Sequence, residues 1–81
     1  MSYSSHRKKA LDLTQPINHR VSHARSCCVC VSQKLRVKRS VVIDKVLRRS
    51  GVDLNFTENS GDLINALDVL EIIRFDELNN E

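Results

Sequence analysis

The side chains with the greatest capacity for chemistry lie close together in the first half of the chain. Cys27, Cys28 and Cys30 fall within four residues, and His19 and His23 precede them at the i,i+4 spacing that places two side chains on one face of a helix. Thiolate and imidazole are common zinc ligands, but structural zinc sites usually draw four ligands from two separated pairs, and these residues are crowded. We therefore predict small, apolar, buried cysteines in a reducing compartment and no metal or cofactor, with a zinc site as the alternative.

Nothing in the sequence is typical of an enzyme active site. The chain has no Gly-rich phosphate loop, no His-Glu-x-x-His motif and no Gly-x-Ser-x-Gly motif, and most acids fall in the second half, away from His6, His19 and His23. A cysteine nucleophile with a histidine base would need a pocket, and two glycines with three aromatic residues offer little to build one. We predict that the protein is not an enzyme.

The charge of the chain is divided unevenly between its two parts. The net charge of the 81 residues is +3, but residues 1–50 carry twelve Lys and Arg against two Asp, which is +10. Residues 51–81 carry one Arg against eight Asp and Glu, which is −7. This division predicts a basic surface for a polyanion beside an acidic part that faces proteins, or two parts that neutralise each other on folding.

A run of cations in the middle of the chain is the strongest candidate for a binding surface. On a helix these cations flank an apolar stripe, so that one side would follow a phosphate backbone. No aromatic residue lies nearby to stack on single-stranded bases, which favours duplex DNA or structured RNA. The alternative is a solvated basic face, or one that pairs with an acidic protein surface. The predicted nucleic-acid-binding residues are Lys34, Arg36, Lys38, Arg39, Lys45, Arg48 and Arg49.

The elements that must position these groups are predicted to be mainly helical. Residues 1–16 are polar and basic, which predicts a flexible arm, and residues 17–81 predict one small domain with a basic region over 17–50. Residues 17–50 lack Gly and Pro, and their apolar spacing fits a helix. The period-two alternation over residues 26–38 also fits a β-hairpin, although no Asn-Gly or similar turn is present to close one. We expect two or three helices in a helical hairpin, with Gly51 ending one of them.

The final helix, predicted over residues 60–78 with Asn59 or Ser60 as its N-cap, is apolar on two sides. On a helical wheel Val69, Ile72 and Phe75 lie opposite the main apolar face. A helix that is apolar on both sides, in so short a chain, predicts a second contact with another copy or a partner protein. We predict a homodimer that completes the core, with an interface of Leu63, Leu67, Leu70 and Ile73.

One stretch resembles the first two helices of acyl carrier proteins. The likeness rests on Arg36-Val-Lys38-Arg39, Gly51-Val52, Thr57-Glu58-Asn59 and the run from Asp62 to Ile73. In that family the second helix opens with Asp-Ser-Leu-Asp, and the serine carries phosphopantetheine. Ala66 stands in place of this serine and Asn65 in place of the preceding aspartate, so no carrier function is predicted.

The sequence predicts neither a membrane-spanning segment nor a secretory signal, whereas its Arg-rich, Ser-rich and acid-poor first part leaves an organelle transit peptide as an alternative. No stretch approaches the roughly 20 apolar residues that a membrane helix needs, and Asp12 interrupts any apolar core of a secretory signal after the basic start. We predict a small regulatory protein of the cytoplasm, or of the nucleus in a eukaryotic or viral source, that binds nucleic acid and dimerises through its final helix. The alternative is a protein-only connector or inhibitor that docks on a larger enzyme or transcription factor.

Overall fold

Four helices make up the chain in a computed structural model that describes residues 2–79. They are α1 (Tyr3–Ala10), α2 (Ile17–Leu35), α3 (Arg39–Ser50) and α4 (Ser60–Asn79). No strand occurs in the described range, so the mainly helical prediction is confirmed and the alternative of a β-hairpin over residues 26–38 is wrong. Met1 of the predicted arm and residues 80–81 of the predicted domain lie outside this range. Among the described helices none is long and apolar enough to cross a membrane.

Helix α2 and the turn that follows it occupy the place of the alternative β-hairpin. Arg36 adopts a left-handed conformation with φ 58° and ψ 43°, and the N–H of Val37 donates to the carbonyl of Ser32 at 3.0 Å. A left-handed residue at this position commonly ends a helix, although glycine is the usual occupant. The chain therefore turns within three residues and starts α3 at Arg39.

The ends of α3 and α4 follow local sequence signals. Gly51 has φ 76° and its N–H donates to the carbonyl of Leu47 at 2.8 Å, so it ends α3 as predicted. Asn59 caps α4, because its side-chain oxygen accepts the N–H of Asp62 at 3.1 Å. Between these two points residues 51–59 form a loop that turns two apolar side chains, Val52 and Leu54, into the core.

Helix α1 runs antiparallel to α2. Tyr3 lies at the level of Cys27, His6 at the level of His23, and Ala10 at the level of Arg20. The flexibility predicted for residues 1–16 stays a prediction, but in the structure residues 3–10 are helical and Ala10 is completely buried.

The core is filled mainly from α2, α3 and α4, with Ala10 of α1 and Val52 and Leu54 of the loop added. The four side chains predicted to form a protein interface lie inside it: Leu63, Leu67, Leu70 and Ile73 are buried by their own chain. These four side chains are out of reach of a second copy while the helices stay packed, and the interface predicted for them stays a prediction. The physical reason is their spacing, which aligns them on the one face of α4 that packs on α2 and α3. Each such burial contributes roughly 1.5–3 kcal/mol.

Candidate functional site

The turn between α2 and α3 collects four of the seven predicted nucleic-acid-binding residues. Lys34 lies in the last turn of α2, Arg36 is the residue that ends it, Lys38 precedes α3 and Arg39 is the first residue of α3. All four side chains are exposed. We call this cluster the basic turn.

The helix end inside the basic turn adds to its positive potential. Lys38 occupies the N-cap position of α3, and no side chain there accepts a hydrogen bond from the backbone. The first turn of α3 contains no acidic residue. The first N–H groups of a helix carry a partial positive charge, which an anion normally offsets. At α3 no carboxylate does so, and cations surround the position instead.

No carboxylate neutralises the basic turn within the part of the chain that the structure describes. The five ion pairs found there involve other cations. An Arg or Lys without a carboxylate partner keeps its full charge available to an external anion.

The other three predicted residues behave differently. Lys45 lies at the α3–α4 contact and pairs with Glu77, and Arg48 pairs with Asp44 one turn away at 2.9 Å. Arg49 is exposed but lies about 15 Å along α3 from Arg39, at 1.5 Å per residue. The structure therefore separates the predicted set into one cluster, two paired side chains and one distant cation.

Charge neutralisation between the two parts of the chain also occurs at α1. Arg7 approaches Asp68 at 3.4 Å and Glu71 at 3.5 Å, and the hydroxyl of Tyr3 donates to Glu71. Burial and the neighbouring carboxylate raise the pKa of Tyr3, which keeps this phenol protonated as a donor. The two parts of the chain therefore neutralise each other at α1 and at Lys45, whereas the basic turn keeps its charge unpaired among the described residues.

The cysteines and histidines do not come together as ligands. Cys27 and Cys28 are buried, and burial raises the pKa of each thiol to about 12, so both stay protonated and pack as apolar groups. His23 turns towards α1, where its Nδ1 lies 2.9 Å from Nδ1 of His6. Within residues 2–79 no group of three or more His, Cys, Asp or Glu side chains is arranged to hold a metal ion.

A second exposed surface lies on α4, and none of the four predicted interface residues belongs to it. Ile72 and Phe75 are 50% and 65% exposed, and Asp68 and Asp76 flank them. Together with Arg7 and Glu71 they line a shallow cavity of about 410 Å³. We call Asp68, Ile72, Phe75 and Asp76 the α4 outer patch. The helical wheel had placed Ile72 and Phe75 on the second apolar side, but only burial shows which side faces solvent.

No protein-family model matches the chain, and no curated protein or solved structure is significantly similar to it.

Proposed function

We propose that the protein binds the phosphate backbone of nucleic acid through the basic turn. The observation that carries this proposal is the exposure of four neighbouring cations, none of which has a carboxylate partner among the described residues. The binding function needs no catalytic group, metal or cofactor.

The expected mode of binding is electrostatic and largely independent of sequence. Each cation that approaches a phosphate releases a condensed counterion, and this release drives association. The uncapped N–H groups at the start of α3 add donors for a phosphate oxygen, as helix N-termini do in other phosphate sites. No aromatic residue belongs to the basic turn to stack on unpaired bases, which favours duplex DNA or structured RNA as the ligand.

A salt titration tests this proposal. With four phosphate contacts, the logarithm of the binding constant should fall against the logarithm of salt concentration with a slope of about −3.6, or roughly 100-fold between ~50 and ~200 mM salt. The measurement is fluorescence anisotropy of a labelled duplex DNA and of a structured RNA. No binding of either ligand at the lower salt would overturn the proposal.

A matched pair of double variants locates the binding surface. Lys34→Ala with Lys38→Ala removes two charges from the basic turn and should reduce the slope by about 1.8. Lys8→Ala with Lys9→Ala removes the same two charges from exposed positions on α1 and should leave the slope unchanged. Equal effects of the two pairs would mean that net charge, rather than the basic turn, attracts the ligand.

A protein-only role as a connector or inhibitor is the second candidate. It is supported by the exposure of Ile72 and Phe75, since contiguous exposed apolar side chains with a polar rim are typical of protein contacts. This role becomes the favoured one if neither nucleic acid binds at low salt.

A further inference from the structure

The α4 outer patch combines an exposed aromatic ring with acidic groups. Phe75 is the more exposed of its two apolar residues, and Asp68 and Asp76 lie on either side in the same cavity. Arg7 offsets Asp68 and Glu71, but no described cation pairs with Asp76. Such a surface suits a partner that offers cations together with a small apolar area, because a guanidinium binds both a carboxylate and the face of a ring.

The basic turn has this complementary composition. Val37 and Val41 are each 39% exposed; Val37 lies between Arg36 and Lys38, and Val41 lies two residues after Arg39. The two surfaces are thus opposite in charge, and each has an exposed apolar part. Both surfaces keep charged side chains that have no partner among the described residues, in contrast to the Lys45–Glu77 pair.

We propose that the basic turn of one copy docks on the α4 outer patch of a second copy, in a head-to-tail contact. A symmetric contact between two α4 outer patches would place Asp68 and Asp76 of one copy against the same acids of the other, and like charges repel. The head-to-tail contact instead places cations against acids. Such a contact leaves one free surface of each kind at the ends, so association continues beyond the dimer as concentration rises.

The association would also regulate nucleic-acid binding. This regulatory effect, unlike the contact itself, rests on the proposed function. The basic turn cannot hold a second copy and a phosphate backbone at the same time. Nucleic acid should therefore dissolve the assembly, and the assembly should weaken nucleic-acid binding at high protein concentration.

Sedimentation velocity over a series of protein concentrations tests the contact. At low salt the wild-type mass should rise from the monomer value of 9.3 kDa to twice that value and above, and high salt should return it to the monomer. A wild-type protein that stays monomeric at every concentration in low salt overturns the proposal and leaves the α4 outer patch to a different protein.

Two variants each block one surface. Phe75→Ser should remove association while leaving the basic turn intact. Its control, Leu13→Ser, removes an exposed apolar side chain elsewhere and should leave association unchanged.

Lys38→Glu with Arg39→Glu should also remove association, and glutamates at the start of α3 are compatible with the helix. Arg49→Glu, at the other end of the same helix, should leave association unchanged.

Mixing the two blocked variants distinguishes the geometries. In a head-to-tail contact each variant supplies the surface that the other lacks, so the mixture should form a dimer and stop at that mass. If Lys38→Glu with Arg39→Glu associates normally and only Phe75→Ser is monomeric, the contact is a symmetric one through α4 and the proposal is wrong. Circular dichroism of each variant verifies that its helices are retained.

The nucleic-acid measurement keeps the two proposals separate. Phe75→Ser should bind duplex DNA with the wild-type salt slope if the proposed function is right, whether or not the wild type associates. Association that responds to both blocked variants but not to added duplex DNA would support the contact and contradict its regulation by nucleic acid.

Discussion

Helices α1 and α4 are attached to the rest of the molecule by different forces. The inward face of α4 consists of completely buried aliphatic side chains: Leu63, Ala66, Leu67, Leu70 and Ile73. In α1 only Ala10 is buried, with Tyr3 partly so, and the remaining contacts are polar. Those polar contacts join Arg7 to Asp68 and Glu71, and His6 to His23. Apolar burial depends little on pH and is not screened by salt, whereas exposed ion pairs are screened by salt and histidine contacts respond to pH. We therefore expect α1 to detach under mild conditions that leave α2, α3 and α4 folded.

The largest effect on the free energy of unfolding is expected from a substitution that creates a cavity beneath α4. Leu67→Ala removes a completely buried side chain and should cost about 2–5 kcal/mol of the free energy of unfolding. This is a large part of the total that a domain of this size holds, roughly 4–12 kcal/mol. Urea unfolding followed by circular dichroism measures the change. The control Ile72→Ala lies on the exposed side of the same helix and should cost less than about 1 kcal/mol. Equal losses in the two variants would contradict the inward assignment of Leu67.

An intermediate effect is expected at Arg20, the residue that links the two helices. Its side chain is 3% exposed, and it donates to the carbonyl of Ala10 and to the hydroxyl of Ser60, each at 2.9 Å. Nη2 has no hydrogen-bond partner, so the buried charge is incompletely satisfied. Arg20→Ala should cost about 2–3 kcal/mol because both hydrogen bonds and the packing of the aliphatic stem are lost.

A second substitution at Arg20 separates packing from charge. Arg20→Met retains most of the volume and removes the incompletely paired charge, so its cost should be smaller than that of Arg20→Ala. The same urea titration compares the two variants. A larger loss for Arg20→Met than for Arg20→Ala would mean that the volume of the side chain contributes nothing to the link between α1 and α4.

The smallest effect concerns the histidine contact that holds α1. Desolvation and the neighbouring His23 lower the pKa of His6 below its ordinary value of 6.5, so the neutral form of His6 is favoured while α1 is docked. Between the lowered pKa and 6.5 the detached helix binds more protons than the docked one, and docking therefore weakens as the pH falls below about 6.5. Lys9 adds to the repulsion that a protonated His6 experiences.

Hydrogen exchange of the α1 amides measures this dependence. Their protection should decrease between pH 7.5 and pH 5.5 relative to that of the α4 amides, after correction for the intrinsic exchange rate. His6→Gln should remove most of the change, whereas His19→Gln, at an exposed position on α2, should retain it. A pH dependence that survives in His6→Gln would show that protonation of His6 is not its source.

Several elements of the fold were predictable because their signals are local. Gly51 ends α3 and Asn59 caps α4, since a left-handed glycine and a side-chain acceptor act within four residues of the chain. The turn at Arg36 was not predictable in the same way. No glycine marks it, and an arginine adopts the left-handed conformation there because the packing of α2 against α3 requires a turn at this point.

Helix α1 and the exposed side of α4 were beyond sequence patterns for a different reason. The sequence of α1 has no sustained apolar periodicity. The helix is held by contacts between residues far apart in the chain: Arg7 and Asp68 are separated by 61 positions, and Tyr3 and Glu71 by 68. On α4 the wheel identified two apolar sides, but a wheel carries no information on which side meets the other helices. The four residues assigned to an interface proved to be the core, and Ile72 and Phe75 are the ones that solvent reaches.

The sequence by itself determined the helical character of this protein and the opposite charges of its two parts, because both depend on residue type and on neighbours within one or two turns. The tertiary structure decided which of the charges are available. Lys45 is neutralised by Glu77, 32 residues away, while the basic turn finds no carboxylate within the described chain. Electrostatic pairing falls off with distance in space rather than along the chain, so the packing of the helices decides whether cations such as Arg7 and Lys45 are used by the fold or left for a ligand.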